Sequence, residues 1–200
     1  MKLRGIEDTD LEGKIVLYRA PYDIELKEVH GVLEVYDDMR IRATLSTLAY
    51  LLEKNCKIVI LTYVGRPDGV HDERLSTAPH ARKLAELLGH PVEKLDECIG
   101  QSVQEKIKSM QPRDIIMLEN VRFHKEEMMD DDNFAQKLCE GKEVVVFDGF
   151  PQSHRKHSST TGILRHLPSC AGFYIKQEVE MLSKLITNPA HPFTVIIGGA

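Results

Sequence analysis

Several features that would assign a protein to a class at first sight are missing from this 200-residue sequence. Its four cysteines, Cys56, Cys98, Cys139 and Cys170, are far apart and show no CxxC spacing. We therefore expect free thiols rather than a zinc site or a disulfide framework. The first residues lack the apolar core of a signal peptide, and no apolar run approaches the roughly 18 residues of a membrane span. These absences favour a cytoplasmic protein without a membrane partner.

The charge of the chain is also modest. Its formal net charge is −5, so the protein as a whole has no attraction for nucleic acid or for anionic membranes. Any anion-binding surface must therefore be a local basic patch. The length suits one compact domain with a short extension, and 42% hydrophobic residues allow a sizeable core.

Short apolar runs alternate with amphipathic stretches along the chain. The runs predict strands at 14–18, 57–62, 114–118, 143–147 and 193–197, and the stretches predict helices at 39–53, 76–88, 101–110, 131–140 and 177–187. This pattern is typical of an α/β fold with a doubly wound parallel sheet and helices on both faces. We further expect Lys142 and Lys156 to be solvated, and Phe173 and Tyr174 to lie in a core strand.

Arginines follow or face nearly every strand end in this prediction: Arg19, Arg40, Arg66, Arg122 and Arg155. In such sheets the ligand lies beyond the carboxyl ends of the strands. The guanidinium fork suits phosphate and carboxylate oxygens, and helix N-termini nearby would add favourable dipoles. A single arginine is more simply explained as a solvated or ion-paired residue. Five at one edge predict a site for a small polyanion.

Motifs for other chemistry are lacking. The chain contains no GxxxxGK[ST] loop, and its dispersed histidines match no zinc spacing. We expect no metal and no cofactor on this chain. His157 lies two residues after Arg155, where a proton on its ring would add positive charge below neutral pH.

Six segments, in order along the chain, resemble phosphoglycerate kinase. They are DDMRIRA at 37–43, GRP at 65–67, LENVRFH at 118–124, HRKHSST at 154–160, LPSCAG at 167–172 and PFTVIIGGA at 192–200. The family has two doubly wound domains joined by a helical hinge. Its N-terminal domain binds 3-phosphoglycerate through a basic patch, and its C-terminal domain binds Mg-ATP or Mg-ADP. The resemblance covers essentially the whole chain and implies the substrate-binding half.

The resemblance also implies roles for individual residues. Arg40 matches the catalytic arginine that stabilises the transferring phosphoryl group, which suits a reaction that depends on positioning and charge neutralisation. The implied substrate-binding positions are Arg19, Asp23, Tyr63, Arg66, Arg122, Arg155 and His157. The implied partners are a small phosphorylated metabolite and a C-terminal nucleotide-binding domain, which would hold the Mg-ATP or Mg-ADP.

The resemblance predicts three segments: a substrate-binding domain at 1–175, an interdomain helix and hinge at 176–191, and the first strand of a second domain at 192–200. Because that strand would lack its own sheet, we expect it to be disordered, to pair with another edge or to mediate self-association. Because the chain ends within the family's architecture, we expect either a fragment or a natural short protein, and we expect this chain to be inactive alone.

The first-strand segment departs from the family pattern. The family reads RxDxNxP, whereas this chain has RAPYDIE at 19–25, and Tyr63 replaces a histidine. Pro21 and Asp23 therefore stand where the family contacts the glycerate hydroxyl, so selective use of 3-phosphoglycerate is open. Three hypotheses follow: half of a phosphoglycerate kinase, a divergent relative that binds a phosphorylated metabolite without phosphoryl transfer, or an interaction protein that uses its final strand and hinge helix.

Overall fold

The fold is built on one parallel sheet, in a computed structural model that describes residues 3–198. The sheet has six strands in the order β5-β6-β4-β1-β7-β8. Their bounds are β1 Ile15–Arg19, β4 Lys57–Leu61, β5 Glu93–Lys94, β6 Ile115–Met117, β7 Val144–Phe147 and β8 Ser169–Ala171. A separate antiparallel hairpin pairs β2, Leu26–Val29, with β3, Val32–Val35.

Helices connect the parallel strands, as right-handed crossovers require. The described residues hold seven: α1 Met39–Arg42, α2 Leu45–Glu53, α3 Ala78–Leu88, α4 Gln101–Ser109, α5 Asp132–Cys139, α6 Ile163–His166 and α7 Phe173–Thr187. Short 3-10 turns at Val121–Phe123 and Lys125–Glu127 follow β6, and a π-helical turn at Ser158–Gly162 precedes α6. The predicted doubly wound α/β fold is confirmed.

Two apolar clusters lie on opposite faces of the sheet. Successive side chains of a strand point to opposite faces, so Val16 and Tyr18 of β1 join one cluster while Leu17 joins the other. Both faces are covered, which explains why the central strands are apolar except at Arg19, the last residue of β1, and Lys57, the first of β4. All four cysteines are free and buried, as expected.

Most predicted elements are confirmed to within one or two residues, but the helix expected at 39–53 is divided in two. Between α1 and α2 the Thr44 hydroxyl donates to the Ile41 carbonyl oxygen at 2.8 Å and shares a hydrogen bond with the Tyr22 hydroxyl at 2.7 Å. A side chain bonded back to the helix competes with the regular backbone ladder. The hairpin and the short strands β5 and β8 were not predicted.

Three expectations are wrong. Phe173 and Tyr174 begin α7 rather than a strand. The segment 193–197 forms no strand, and the Ile196 side chain in it is 93% exposed. Lys142 is buried, although it was expected in solvent. Gly199 and Ala200, at the end of the predicted terminal segment, lie outside the described residues.

Candidate functional site

The carboxyl ends of the central strands bring five predicted site residues into one place, which we call the arginine crevice: Arg19, Tyr63, Arg122, Arg155 and His157. Arg19 ends β1 in the middle of the sheet and is fully buried. Tyr63 follows β4, and Arg122 lies in the turn after β6. Parallel strands present their ends at one edge, so residues distant in sequence converge here.

Two guanidinium groups lie close to the Tyr63 ring. The Arg122 Cζ atom is 3.5 Å from the ring centroid, and the Arg19 Cζ atom is 5.4 Å from it. An aromatic face attracts a cation within about 6 Å. Tyr63 thus holds two like charges close together at the base of the crevice.

Arg19 is held by the chain around Ser159. Its Nε donates to the Ser159 carbonyl oxygen at 3.0 Å and lies 3.2 Å from the Ser159 hydroxyl. Its Nη1 donates to the Ala20 carbonyl oxygen, while its buried Nη2 has no hydrogen-bond partner among the described residues. Burial lowers the pKa of the Arg19 guanidinium, and the Glu127 carboxylate counteracts that effect. One edge of this buried cation therefore has no hydrogen-bond partner among the described residues.

Arg122 is positioned by the loop after β4. Its Nη1 donates to the Gly65 carbonyl oxygen at 2.7 Å, and its backbone N–H donates to the Asn120 side chain at 3.1 Å. The same Asn120 side chain donates to the Val64 carbonyl oxygen at 2.7 Å. The Arg122 Nε is buried and has no partner among the described residues.

His157 lies beside the arginines with a neutral ring. Burial, followed by the charges of Arg122, Arg155 and Arg19, lowers the pKa of His157 to about 4. The ring is therefore uncharged near neutral pH. From the sequence we expected this ring to take up a proton below neutral pH. Burial and the surrounding positive charge oppose that proton.

A chain of contacts connects the crevice to Asp23 and Arg40. The Arg40 Nη1 donates to the Asp23 carbonyl oxygen at 2.6 Å, and the Asp23 carboxylate accepts the Gly65 N–H at 2.9 Å. Asp23 therefore acts on two partners at once, one through its backbone and one through its side chain. Asp23 and Gly65 also line a cavity of about 650 Å³ beside the hairpin.

Gly65 has a conformation that few other residues adopt. Its φ is +64°, and a Cβ atom there would lie 2.9 Å from the Leu75 Cδ2. Glycine is the residue that enters this backbone region at little cost. The turn it makes presents Arg66, whose side chain is exposed and makes no hydrogen bond or ion pair among residues 3–198.

One important residue was not predicted. Glu127 is fully buried, and it accepts the Ser159 N–H at 2.8 Å and the Ser159 hydroxyl at 2.6 Å. Burial raises the pKa of Glu127, while Ser159 and the charges of Arg19 and Arg122 act in the opposite direction. The only indication in the sequence was the position of Glu127, three residues after LENVRFH. Because the stretch around it is acidic, its pattern predicts a solvated surface.

The arrangement can bind a small anion with concentrated charge. Four of the eight buried side-chain N and O atoms that lack a hydrogen-bond partner in the described residues belong to Arg19, Arg122, Arg155 and His157. Such atoms are rare because leaving them unpaired is costly. No cluster of three potential metal-ligating side chains occurs within residues 3–198, and no helix in that range is both long and apolar enough to cross a membrane.

Comparison with known proteins gives one consistent result. The phosphoglycerate kinase family profile matches residues 6–200. The chain is 43% identical over 195 residues to phosphoglycerate kinase of Dictyoglomus turgidum and 42% identical over 201 residues to that of Borreliella burgdorferi, covering 98% and 100% of this chain but 48% and 50% of those proteins. The chain thus spans about half the length of the curated relatives it matches.

Solved structures agree with the sequence comparison. The crystal structure of phosphoglycerate kinase from Pyrococcus horikoshii superimposes with a TM-score of 0.84 at 31% identity, over 95% of this chain and 47% of that one. Phosphoglycerate kinase from Coxiella burnetii gives a TM-score of 0.82 at 29% identity, over 96% of this chain and 47% of that one. By profile, sequence and structure alike, this chain belongs to the phosphoglycerate kinase family.

Proposed function

We propose that this chain is the substrate-binding half of a phosphoglycerate kinase and that the arginine crevice holds the phosphate of 3-phosphoglycerate. The observation that supports this most is the convergence of Arg19, Arg122 and Arg155 beside His157, with one buried guanidinium nitrogen on each arginine that has no hydrogen-bond partner among the described residues. Hydrogen bonds that involve ionised groups are short and strong. A phosphate in the crevice would neutralise positive charge that these three arginines concentrate.

The proposed reaction of the complete protein is reversible phosphoryl transfer between 1,3-bisphosphoglycerate with ADP and 3-phosphoglycerate with ATP, as a step of glycolysis in the cytoplasm. The Mg-nucleotide would be held by the other half, where it supplies the phosphoryl group and the neutralising metal charge. On this chain, Arg40 is exposed and hydrogen-bonded to Asp23. Arg40 would stabilise negative charge on the phosphoryl group during transfer. Arg66 would bind the phosphate of the substrate.

The proposed macromolecular partner is a C-terminal nucleotide-binding domain, which the hinge segment at 176–191 would join to the substrate-binding domain at 1–175. The support for it is the apolar surface of α7, where Met181, Leu182, Leu185 and Ile186 are between 43% and 83% exposed. A contiguous apolar surface of this kind marks an interaction site. Without that domain, the chain would bind substrate but transfer no phosphoryl group.

Calorimetric titration with 3-phosphoglycerate, with inorganic phosphate as a reference, tests the proposal. We expect 3-phosphoglycerate to bind more tightly than phosphate. Arg122→Ala and Arg66→Ala should each lower its affinity at least about tenfold, because a hydrogen bond to a charged group contributes about 1.5–3 kcal/mol. Arg74→Ala is the matched control, since Arg74 is exposed and pairs only with Asp72.

Circular dichroism should show that the three variants keep the fold. Unchanged affinity in both Arg66→Ala and Arg122→Ala would show that the crevice does not bind the ligand. Binding no tighter than that of phosphate would instead favour a divergent relative with another phosphorylated ligand.

A further inference from the structure

A carboxylate and an imidazole face each other behind the arginines. The His157 Nδ1 lies 3.6 Å from the Glu127 Oε1 and has no hydrogen-bond partner among residues 3–198. Both side chains are more than nine-tenths removed from solvent. The two residues come from different loops, the turn after β6 and the turn before α6.

Charged groups surround this pair on every side. Arg19 approaches from β1, Arg122 from the turn after β6 and Arg155 from the loop of His157 itself, while Asp130 adds a negative charge from the loop before α5. Burial first, and then the three cations, oppose a second proton on the imidazole more than Asp130 favours it, so the pKa of His157 falls to about 4. Burial and the positive field of the arginines together keep Glu127 from forming an ion pair with a protonated His157.

We propose that Glu127 and His157 form a proton-linked pair, so that the crevice takes up a proton on His157 when a dianion binds to the arginines. This inference rests on the proposed anion site and adds to it a proton that accompanies the ligand. A bound dianion cancels two of the three positive charges next to the imidazole. An opposite charge within a few ångströms favours the charged form of a base, and the proton then lies between His157 and Glu127.

Glu127 is also a positioning residue for Arg19. It holds the Ser159 N–H and hydroxyl, and the Ser159 carbonyl oxygen accepts from Arg19. The carboxylate that stabilises the imidazolium therefore also orients the arginine that binds the anion. Binding of the anion and of the proton are coupled by this shared group, and each must strengthen the other.

Sulfate is a suitable probe, because it stays a dianion over the whole pH range of interest, whereas phosphate esters change charge near pH 6. Calorimetric titration of the chain with sulfate at pH 5.5, in two buffers with different ionisation enthalpies, measures the protons taken up. We expect net uptake of up to about one proton per sulfate, and an affinity that rises by up to about tenfold for each unit that the pH falls.

Nuclear magnetic resonance titration of the ¹⁵N-labelled ring of His157 provides a second measurement on the unmodified chain. Saturating sulfate should raise the midpoint of its titration by about one unit or more. In Glu127→Gln the rise should be smaller, because the imidazolium loses its carboxylate partner. Glu126→Gln is the matched control for charge and His154→Gln for histidine, since both residues flank the pair without contacting it.

Sulfate uptake without proton uptake, or proton uptake that persists unchanged in His157→Gln, would overturn the proton-linked pair and leave the anion site standing. A midpoint of His157 that does not move with sulfate would do the same. Absence of any sulfate binding would contradict the anion site itself, and the proton-linked pair with it.

Discussion

Single residues distinguish this crevice from the pattern that the family resemblance implies. Pro21 is buried and carries no polar side-chain group, and the Asp23 carboxylate is occupied by the Gly65 N–H. Tyr63 packs on Arg122 instead of offering an imidazole. Pro21 thus has no side-chain group that could hydrogen-bond a substrate hydroxyl, while Asp23 and Tyr63 each contact a neighbour in this part of the fold.

Restoring the family residues should therefore increase discrimination. We expect Pro21→Asp, Asp23→Asn and Tyr63→His together to raise the affinity for 3-phosphoglycerate about tenfold relative to phosphate, because a site that hydrogen-bonds a hydroxyl rejects ligands that lack it. Calorimetry with both ligands measures the ratio. Asp68→Asn, an exposed change in the neighbouring loop, controls for charge. An unchanged ratio would mean that the site has diverged beyond these positions.

Lys142 is a second residue whose environment has a measurable consequence. Its side chain is buried, its Nζ has no partner among the described residues, and burial lowers its pKa to about 8. The unfolded chain keeps this proton up to a pH of about 10.4. The unfolded state thus binds more protons between pH 8 and 10, so this lysine makes the free energy of unfolding rise with pH over that interval.

Replacing Lys142 by methionine should remove the free-energy cost of burying its charged group. We expect Lys142→Met to raise the free energy of unfolding at pH 7 by about 1–3 kcal/mol, since a buried unpaired charge is replaced by an apolar chain of similar length. The rise in the free energy of unfolding between pH 8 and 10 should also become smaller. Urea unfolding at pH 7 and 9.5 measures both effects. Lys156→Met, at an exposed position, should change neither, and an equal effect of the two variants would contradict the argument.

At the scale of elements, the start of α7 is set by groups from other parts of the fold. The buried Asp148 carboxylate, after β7, accepts the Ile175 N–H at 3.0 Å and the Thr47 hydroxyl at 2.7 Å. The Thr47 hydroxyl oxygen accepts the Phe173 N–H at 3.0 Å. The first N–H groups of a helix have no partner within the helix, and here β7 and α2 supply the acceptors.

Removing the Thr47 hydroxyl should loosen α7 without changing its sequence. We expect Thr47→Val to lower the free energy of unfolding by about 1–2 kcal/mol, because it leaves the Phe173 N–H without its acceptor and removes one of the donors to the buried Asp148 carboxylate. Amide hydrogen exchange should accelerate at the start of α7 before it does in the sheet. Thr187→Val is the matched control, since that hydroxyl bonds only within α7, to Ser183. Equal protection in both variants would show that this attachment is unimportant.

At the scale of the whole molecule, the exposed apolar surface is concentrated at the C-terminal side. Beyond α7, Phe193, Val195, Ile196 and Ile197 are between 44% and 93% exposed. Apolar surface of this extent favours association. The prediction that 192–200 mediates self-association remains open, and the exposure of these side chains supplies its physical basis.

We expect the isolated chain to form dimers or larger species that dissociate on dilution. Ile196→Asp combined with Ile197→Asp should shift it to monomer, because a buried charge opposes the apolar contact. Light scattering after size-exclusion chromatography measures the mass. Met129→Asp, at a 70% exposed apolar position elsewhere, should leave association unchanged. A monomeric unmodified chain at high concentration would contradict the prediction.

The amino-acid sequence alone was sufficient to predict the sheet and the edge where the site lies. Apart from Arg19 and Lys57 at strand ends, the four central strands are apolar, a local property that both covered faces of a parallel sheet demand. Arg19, Arg122 and Arg155 were identified because they follow strand ends, and strand ends converge in this fold. The strands β5 and β8 are too short to show the alternation of apolar and polar residues that indicates a strand.

Only the tertiary structure decided which of those charged residues are buried and how burial shifts their pKa. Arg19 meets Ser159, 140 residues away, and Thr47 meets Asp148, 101 residues away. Glu127 and Lys142 look like surface residues from their neighbours in sequence, yet both are buried. Burial and pKa depend on the dielectric and the charges within a few ångströms, and those neighbours are brought together only when the strands pair.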